Sequence, residues 1–329
     1  MRSRANTLPR YSEMTRADTA THLNAGLPIA SAVHHISVCF CTYMRKHLLK
    51  RLLEGLVHQR TDGRFTFSIV AVDNDRERSA EALVGSFAAQ TDIPIRYEVE
   101  PQQNIALARN RAVRAAGGDF IAFIDDDEFP SGDWLLTLYQ ALEKYEVDGA
   151  LGPVKPFFEE KAPAWVVKGR FYERATYPTG YVIDGSKGRT GNVLLKRDIF
   201  KWLEQPFNPE FRAGEDQDFF TRMIAHGHRF IWCNEAVAHE VVPPVRWTRR
   251  FMLRRALLRG AMQTRTSGFG IPSILKSVIA VPLYAIALPG ALLLGHHRFM
   301  SLLIRLCDHL GKLLALAGIN PVRDAYVTG

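Results

Sequence analysis

Residues 120–133 read FIAFIDDDEFPSGD and gather side chains suited to metal and acid–base chemistry. An apolar run, 120–124, ends in Asp125, Asp126 and Asp127, with Glu128 beside them. A run of that length bounded by turn residues reads as a buried strand. Adjacent like charges repel, so a fold that gathers them needs a cation or shifted pKa values. Hard divalent cations such as Mg2+ prefer carboxylate oxygens, often together with substrate phosphates. The plain alternative is a solvated acidic turn after a core strand. A second acidic stretch, GEDQD at 214–218, opens an expected helix. Acidic residues in a first helical turn suit the helix dipole without any function. Glu215, Asp216 and Asp218 crowd one another beyond that need.

The elements that must position these residues alternate in type. Strands are expected at 35–42, 66–72, 95–99 and 120–124. Helices are expected between and after them, over 48–56, 77–89, 104–116 and 134–145, with Gly117 and Gly118 closing the third. Such alternation implies right-handed crossovers and a mainly parallel sheet flanked by helices. Ligands of such sheets sit at the carboxyl ends of the strands. That rule places Thr42, Asp73 and 125–127 along one edge, which suits a phosphorylated ligand with a metal. Beyond Gly149 the pattern loosens. An edge strand is expected at 149–156, a long partly ordered loop at 162–187, strands at 190–196 and 230–233, a short helix at 197–203, and a helix from Gly214 to about His226 closed by Gly227. His239 follows near the end of a last short strand.

Composition sets further bounds. The 329 residues are 47% hydrophobic, enough for one large domain with appendages and a substantial core. The net charge of +8 is unevenly spread: Arg246, Arg249, Arg250, Arg254, Arg255 and Arg259 share one stretch without an acidic residue. Nucleic acid and an anionic membrane both suit such a patch. No nucleic-acid motif accompanies it and apolar segments adjoin it, so lipid is expected and nucleic acid is not. Cys39, Cys41, Cys233 and Cys307 lack zinc-ligand spacing and read as buried thiols of a reducing compartment. Residues 1–33 are polar, without the apolar run of a secretory signal, and read as a disordered leader.

Five pieces in order carry a family resemblance: VCFCTYMRKHLLKRLLEGL, VDND, NIALARNRAVRAAGGDFIAFIDDDE, TGNVLLKRD and GEDQDFF. Together they resemble family 2 glycosyltransferases, most closely the glucosyltransferases of bacterial succinoglycan-type exopolysaccharide assembly. The resemblance implies the GT-A fold over 34–245 and inverting, metal-dependent transfer from a nucleotide sugar, UDP-glucose above all. It implies that Thr42 and Asp73 contact the base. Arg109 would line the nucleotide pocket or touch the phosphates. Asp125 and Asp127 form the DxD-type motif, Asp127 holds Mn2+ or Mg2+, and Asp125 and Asp126 make ribose or outer contacts. Asp216 is the implied base, and Glu215 positions the acceptor. His239 is a possible diphosphate or metal contact, and Asn192 is expected in the acceptor cleft. Three consecutive aspartates leave open which one touches the metal. The chemistry agrees on its own terms: a metal stabilises a diphosphate leaving group, and the incoming hydroxyl needs a base on the opposite face.

Trp134 reads as core, whereas Trp165, Tyr172 and Tyr177 suit either core or a sugar-stacking role. The C-terminal part, 246–329, is expected to be helical and membrane-associated. Residues 247–266 form a basic helix; 277–295 are uncharged but interrupted by Pro282 and Pro289; 298–317 form an amphipathic helix with Phe299, Leu303, Leu306, Leu310 and Leu313 on one face. A lipid-linked oligosaccharide acceptor at the cytoplasmic face of the inner membrane fits this layout. Two other readings compete. A sugar nucleotidyltransferase usually carries a glycine-rich loop after its first strand, where this chain has CFCTYMRKHL. A non-catalytic, membrane-bound polysaccharide assembly scaffold would tolerate Asp216→Asn.

Overall fold

The computed structural model describes residues 33–211, 214–264 and 269–319. The expected leader, apart from Val33, and the last ten residues lie outside the described residues. The first half alternates as the pattern demands: β1 (His34–Thr42), α1 (Lys46–Leu56), β2 (Phe65–Asp73), α2 (Glu81–Ala88), β3 (Ile95–Val99), α3 (Ile105–Ala115) and β4 (Phe120–Phe123). There follow β5 (Glu128–Pro130), α4 (Trp134–Tyr145), β6 (Gly149–Leu151), β7 (Val154–Phe157) and α5 (Ala164–Gly169). The remainder holds β8 (Val193–Lys196), α6 (Glu215–Ala225), β9 (Phe230–Trp232), β10 (Ala238–Val241), α7 (Arg249–Gln263), α8 (Ile271–Leu293) and α9 (His296–Leu316).

A seven-stranded sheet runs in the order β3-β2-β1-β4-β8-β6-β9. Its first four strands are parallel, and β8 runs antiparallel to both β4 and β6. Both faces are covered, which explains the unbroken apolar runs. Ile36, Val38 and Phe40 of β1 join one core with Leu49, Leu52 and Leu53 of α1, while Cys39 faces a second core with Ala108 and Ala112 of α3. The leucine stripe of α1 buries all of Leu48, Leu49, Leu52, Leu53 and Leu56, each worth about 1.5–3 kcal/mol when fully removed from water.

Local rules set the edges of these elements. Asn104 caps α3 by accepting from the amides of Ala106 at 2.9 Å and Leu107 at 3.3 Å. Gly118 is needed for close approach rather than for a left-handed turn, since a Cβ there would lie 2.4 Å from the His35 carbonyl oxygen. Gly227 does take the left-handed closing position after α6, at φ +92°. α2 begins later than expected because the Asp73 carboxylate ties residues 75–80 into a turn, accepting from the amides of Asp75 and Ala80.

The stretch 149–156 is not one edge strand. It splits into β6, in the interior of the main sheet, and β7, in a separate three-stranded sheet ordered β5-β10-β7. Gly152 makes the switch: a Cβ there would lie 2.1 Å from the Ala236 carbonyl oxygen. The long segment after β7 holds α5, whose Val166 packs with Val242, Trp247, Met252 and Met300 in a third core.

The C-terminal helices divide in two. α7 and α9 touch backbone to backbone, because Gly260 lies against Asp308 and Gly311 against Leu257. An Arg259–Asp308 ion pair of 2.6 Å spans the same contact. α8 is one continuous helix through Pro282 and Pro289 instead of an interrupted segment. It is 23 residues long, apolar enough to cross a membrane, and mostly exposed, with Ile271, Leu275, Ile279 and Ile286 facing outward. The expected stripe of α9 is shifted. Met300, Cys307 and Gly311 are buried with Leu303 beside them, whereas Leu310 is exposed.

Candidate active site

The carboxyl ends of β2, β1 and β4 lie side by side, as the register Thr42↔Asp73 and Cys39↔Phe123 requires. The loop after β4 therefore brings its acidic run to the middle of this edge. Thr42 donates its hydroxyl to Asp126 at 2.9 Å, and Arg45 reaches Asp126 at 3.1 Å and Asp127 at 3.5 Å. From 119 residues further along, Arg246 meets Asp127 at 2.9 Å and Glu240 at 2.9 Å. Arg174 pairs with the other oxygen of Glu240. Arg109 of α3 bridges the two acidic stretches, pairing with buried Glu215 at the start of α6 and with Asp125 at 3.4 Å.

Dehydration and partners set the charge states. Burial pushes Asp126 up to about 6, with Arg45 opposing and Asp127 adding to the rise. Poor hydration raises Asp125, offset by Arg109, and burial raises Glu215, offset again by Arg109. Burial and then Asp125 push Glu128 well above the ordinary carboxylate range. Burial disfavours the Arg109 charge, but Glu215 and Asp125 outweigh it and hold the guanidinium protonated. Asp216 differs from all of these: it is half-buried, accepts from the neighbouring Gln217 amide at 2.8 Å, and makes no ion pair among the described residues.

Two joined cavities follow the edge. One of about 250 Å³ is lined by Cys41, Thr42, Tyr43, Arg45, Asn74, Ile105 and Asp126. The other, about 330 Å³, is lined by Asp125, Asp126, Asp127, Arg174, Glu240 and Arg246. The first is mostly apolar, and the second is charged.

Three expected contacts are corrected. Asp73 is fully buried, and its oxygens are taken by the amides of Asp75 and Ala80 and by the Tyr97 hydroxyl at 2.8 Å. It orders the loop, and Asn74 lines the cavity in its place. Asn192 is also fully buried; it bonds Trp134 Nε1 and the carbonyls of Pro153 and Ala236, so it ties the two sheets together and does not line an acceptor cleft. Strand alternation turns His239 away from the aspartates and onto Phe129, stacked at 5.3 Å, while Glu240 takes the inward position.

Thr42, Arg109, Asp125, Asp126, Asp127 and Glu215 are brought together as expected. Trp134 is core; Tyr177 stacks on Tyr181, and Trp165 packs near His296. The sequence reading missed Arg45, Arg174 and Glu240 as site residues. It placed Arg246 on a membrane-facing patch. The available signal for Arg246 was its position next to Trp247, between a strand and a helix.

The oxygen-only set fits a hard divalent cation. The Oε1 of Glu128 is buried without a hydrogen-bond partner, and a Cβ on Gly191 would come within 2.8 Å of both that atom and Asp125 Oδ2. The described residues hold no preformed cage of three or more ligands. Mg2+ commonly uses one or two carboxylates plus substrate phosphates, so a cage is not required.

The family model of glycosyl transferase family 2 matches residues 37–202. The succinoglycan biosynthesis protein ExoM of Rhizobium meliloti (strain 1021) is 35% identical over 233 residues, covering 70% of this chain and 74% of that protein. The chain belongs to glycosyl transferase family 2. Two solved structures show its fold. The mannosyltransferase PcManGT from Pyrobaculum calidifontis, in complex with GDP-Man and Mn2+, superposes with a TM-score of 0.58 at 18% identity, over 86% of this chain and 88% of that one. TarS 1-349 of S. aureus, in complex with UDP, gives 0.51 at 16% identity, over 88% and 94%. The GT-A fold is thereby established, with a mostly parallel sheet between helices and a C-terminal apolar helix.

Proposed function

We propose that this chain is an inverting, metal-dependent hexosyltransferase that moves glucose from UDP-glucose onto a lipid-linked oligosaccharide in exopolysaccharide or cell-surface polysaccharide synthesis. The observation that carries the reading is the division of labour between the two acidic stretches. Residues 125–127 and Glu215 are held by arginines, whereas Asp216 is half-buried and unpaired among the described residues. The polysaccharide context is supported by the name of the ExoM relative, and the nucleotide-sugar donor by the UDP and GDP-Man complexes of the structural neighbours.

In this reading the nucleoside enters the cavity lined by Thr42 and Asn74, with Asp126 and Arg109 at the ribose and phosphates. Asp127, with Asp125 beside it, would hold Mn2+ or Mg2+, which would supply Lewis-acid stabilisation of the departing diphosphate. Arg45 and Arg246 lie against Asp127 and offer further positive charge to the same group. The Asp216 carboxylate takes the proton of the acceptor hydroxyl. That oxygen then attacks the anomeric carbon from the face opposite the diphosphate, so one C–O bond forms as the other breaks and the anomeric configuration inverts. Glu215, fixed by Arg109, sets the position of Asp216 at the helix start. α8 seats the enzyme on the cytoplasmic face of the inner membrane, where a lipid-borne acceptor is presented.

The direct test is a screen of radiolabelled nucleotide sugars with membrane lipid extracts, with and without Mn2+ or Mg2+. The expected result is metal-dependent transfer of label from UDP-glucose into the lipid fraction. Label that enters lipid equally well under chelation, or from no nucleotide sugar, contradicts the assignment.

A further inference from the structure

A third cavity, of about 260 Å³, adjoins the acidic cleft. It shares Arg174, Glu240, Phe251 and Arg255 with the cleft, and the cleft in turn shares Cys41, Arg45, Ile105 and Asp126 with the nucleoside cavity. The three spaces therefore form one trench: nucleoside end, carboxylate centre, basic end. A nucleotide sugar running from the first space into the second leaves the third vacant for the other substrate.

Charge at the basic end is out of balance. Glu240 already serves Arg174 and Arg246, Glu173 pairs with Arg170, and Arg259 pairs with Asp308. Arg255 lines this cavity and makes no ion pair among the described residues. Burial and then the charge of Arg246 lower its pKa, with Glu240 opposing. Phe171, Phe251, Met252 and Ile304 supply an apolar part of the wall, beside Tyr172 and Glu173. Ile304 comes from α9, which packs along both α7 and the exposed apolar helix α8. Cationic and apolar groups in one pocket, continuous with an apolar helix, suit a phosphate attached to a hydrocarbon chain.

We propose that this cavity binds the phosphate or diphosphate head of a lipid-linked acceptor, with Arg255 and Arg174 on the phosphate and Ile304 and Phe251 against the first part of the lipid chain. The proposal rests on the reading of the chain as a transferase to a lipid-linked acceptor and assigns that acceptor a place. The close α7–α9 contact at Gly260 and Gly311 fixes the pocket relative to α8, so a lipid held by the membrane reaches the trench in one orientation.

The test uses the full chain in detergent micelles with farnesyl diphosphate as probe, measured by calorimetry beside farnesol, inorganic diphosphate and UDP with Mn2+. Wild type is expected to bind farnesyl diphosphate about tenfold or more tighter than farnesol or inorganic diphosphate, as a charge-assisted contact added to apolar burial requires. Saturating UDP with Mn2+ is expected to leave that binding in place. Arg255→Glu should weaken it by about tenfold or more, and by more than it weakens UDP binding. Displacement by UDP would assign the arginines to the donor diphosphate and overturn the proposal. So would equal affinity for farnesol, or unchanged affinity in Arg255→Glu. The competition arm uses wild type alone and stands even if the variant fails to fold. UDP binding and sugar transfer without farnesyl diphosphate binding would remove this site and leave the transferase reading intact. Farnesyl diphosphate binding without transfer from any nucleotide sugar would do the reverse.

Discussion

The two acidic stretches meet opposite fates. Along 125–127 every aspartate is met by an arginine, from α1's leading loop, from α3, or from the segment before α7. At the start of α6, Glu215 is buried on Arg109, but Asp216 is half-buried and, among the described residues, bonded only to an adjacent amide. In the proposed reading, the pinned carboxylates and their cations receive a charged ligand and its counter-ion. In the proposed reading, the carboxylate left unpaired among the described residues takes the acceptor's proton. Arg109 touches both groups, so it fixes the distance between them.

The largest effect is expected where the comparison is sharpest. Asp216→Asn should lower sugar transfer by about 10²–10⁴, the usual worth of a general base, with donor affinity retained. Transfer near the wild-type rate would show that the unpaired carboxylate is not the base, and would favour a scaffold. Next comes the bridge. Arg109→Leu leaves Glu215 in a buried position without its partner and Asp125 without its cation, a loss of about 3–5 kcal/mol for a broken buried pair. Thermal melting should show it as a clear fall, and an unchanged melting temperature would mean that the stretches are not coupled through Arg109.

The smallest effect concerns pH. Asp126 titrates at about 6 in the fold against an ordinary 3.8. A carboxyl raised on folding binds its proton more tightly in the folded state, so it adds stability as pH falls from about 6 toward 4 and adds none above 6. Asp126→Asn should abolish that increment. The wild-type melting curve, measured against the variant, should therefore gain relative stability across that interval; parallel curves would show that Asp126 is not held in the dehydrated state described.

Legibility in the sequence followed locality. The alternating strands and helices up to Tyr145 could be read because each element carries its own period, and Thr42 with 125–127 follows from the rule that parallel strands end together. What could not be read were the partners. Arg246 meets Asp127 across 119 residues, and nothing in a basic run says which arginine turns inward. His239 and Glu240 are adjacent, and choosing between them needs the register of β10 against β5 and β7, set by contacts far apart in the chain. Asn192 has the chemistry of a ligand contact, but a left-handed φ of +63° and three internal bonds make it a joint between sheets. Asp73 erred the same way: its place at the strand end was right, and its oxygens were already used.

The central claim is that the arginine-held aspartates form a donor site completed by a divalent metal at Asp127. Calorimetric titration of UDP, with and without Mn2+, into wild type and Asp127→Ala tests it most directly. Mn2+ should tighten UDP binding in wild type and have no effect in the variant. Equal tightening in both proteins would contradict the account.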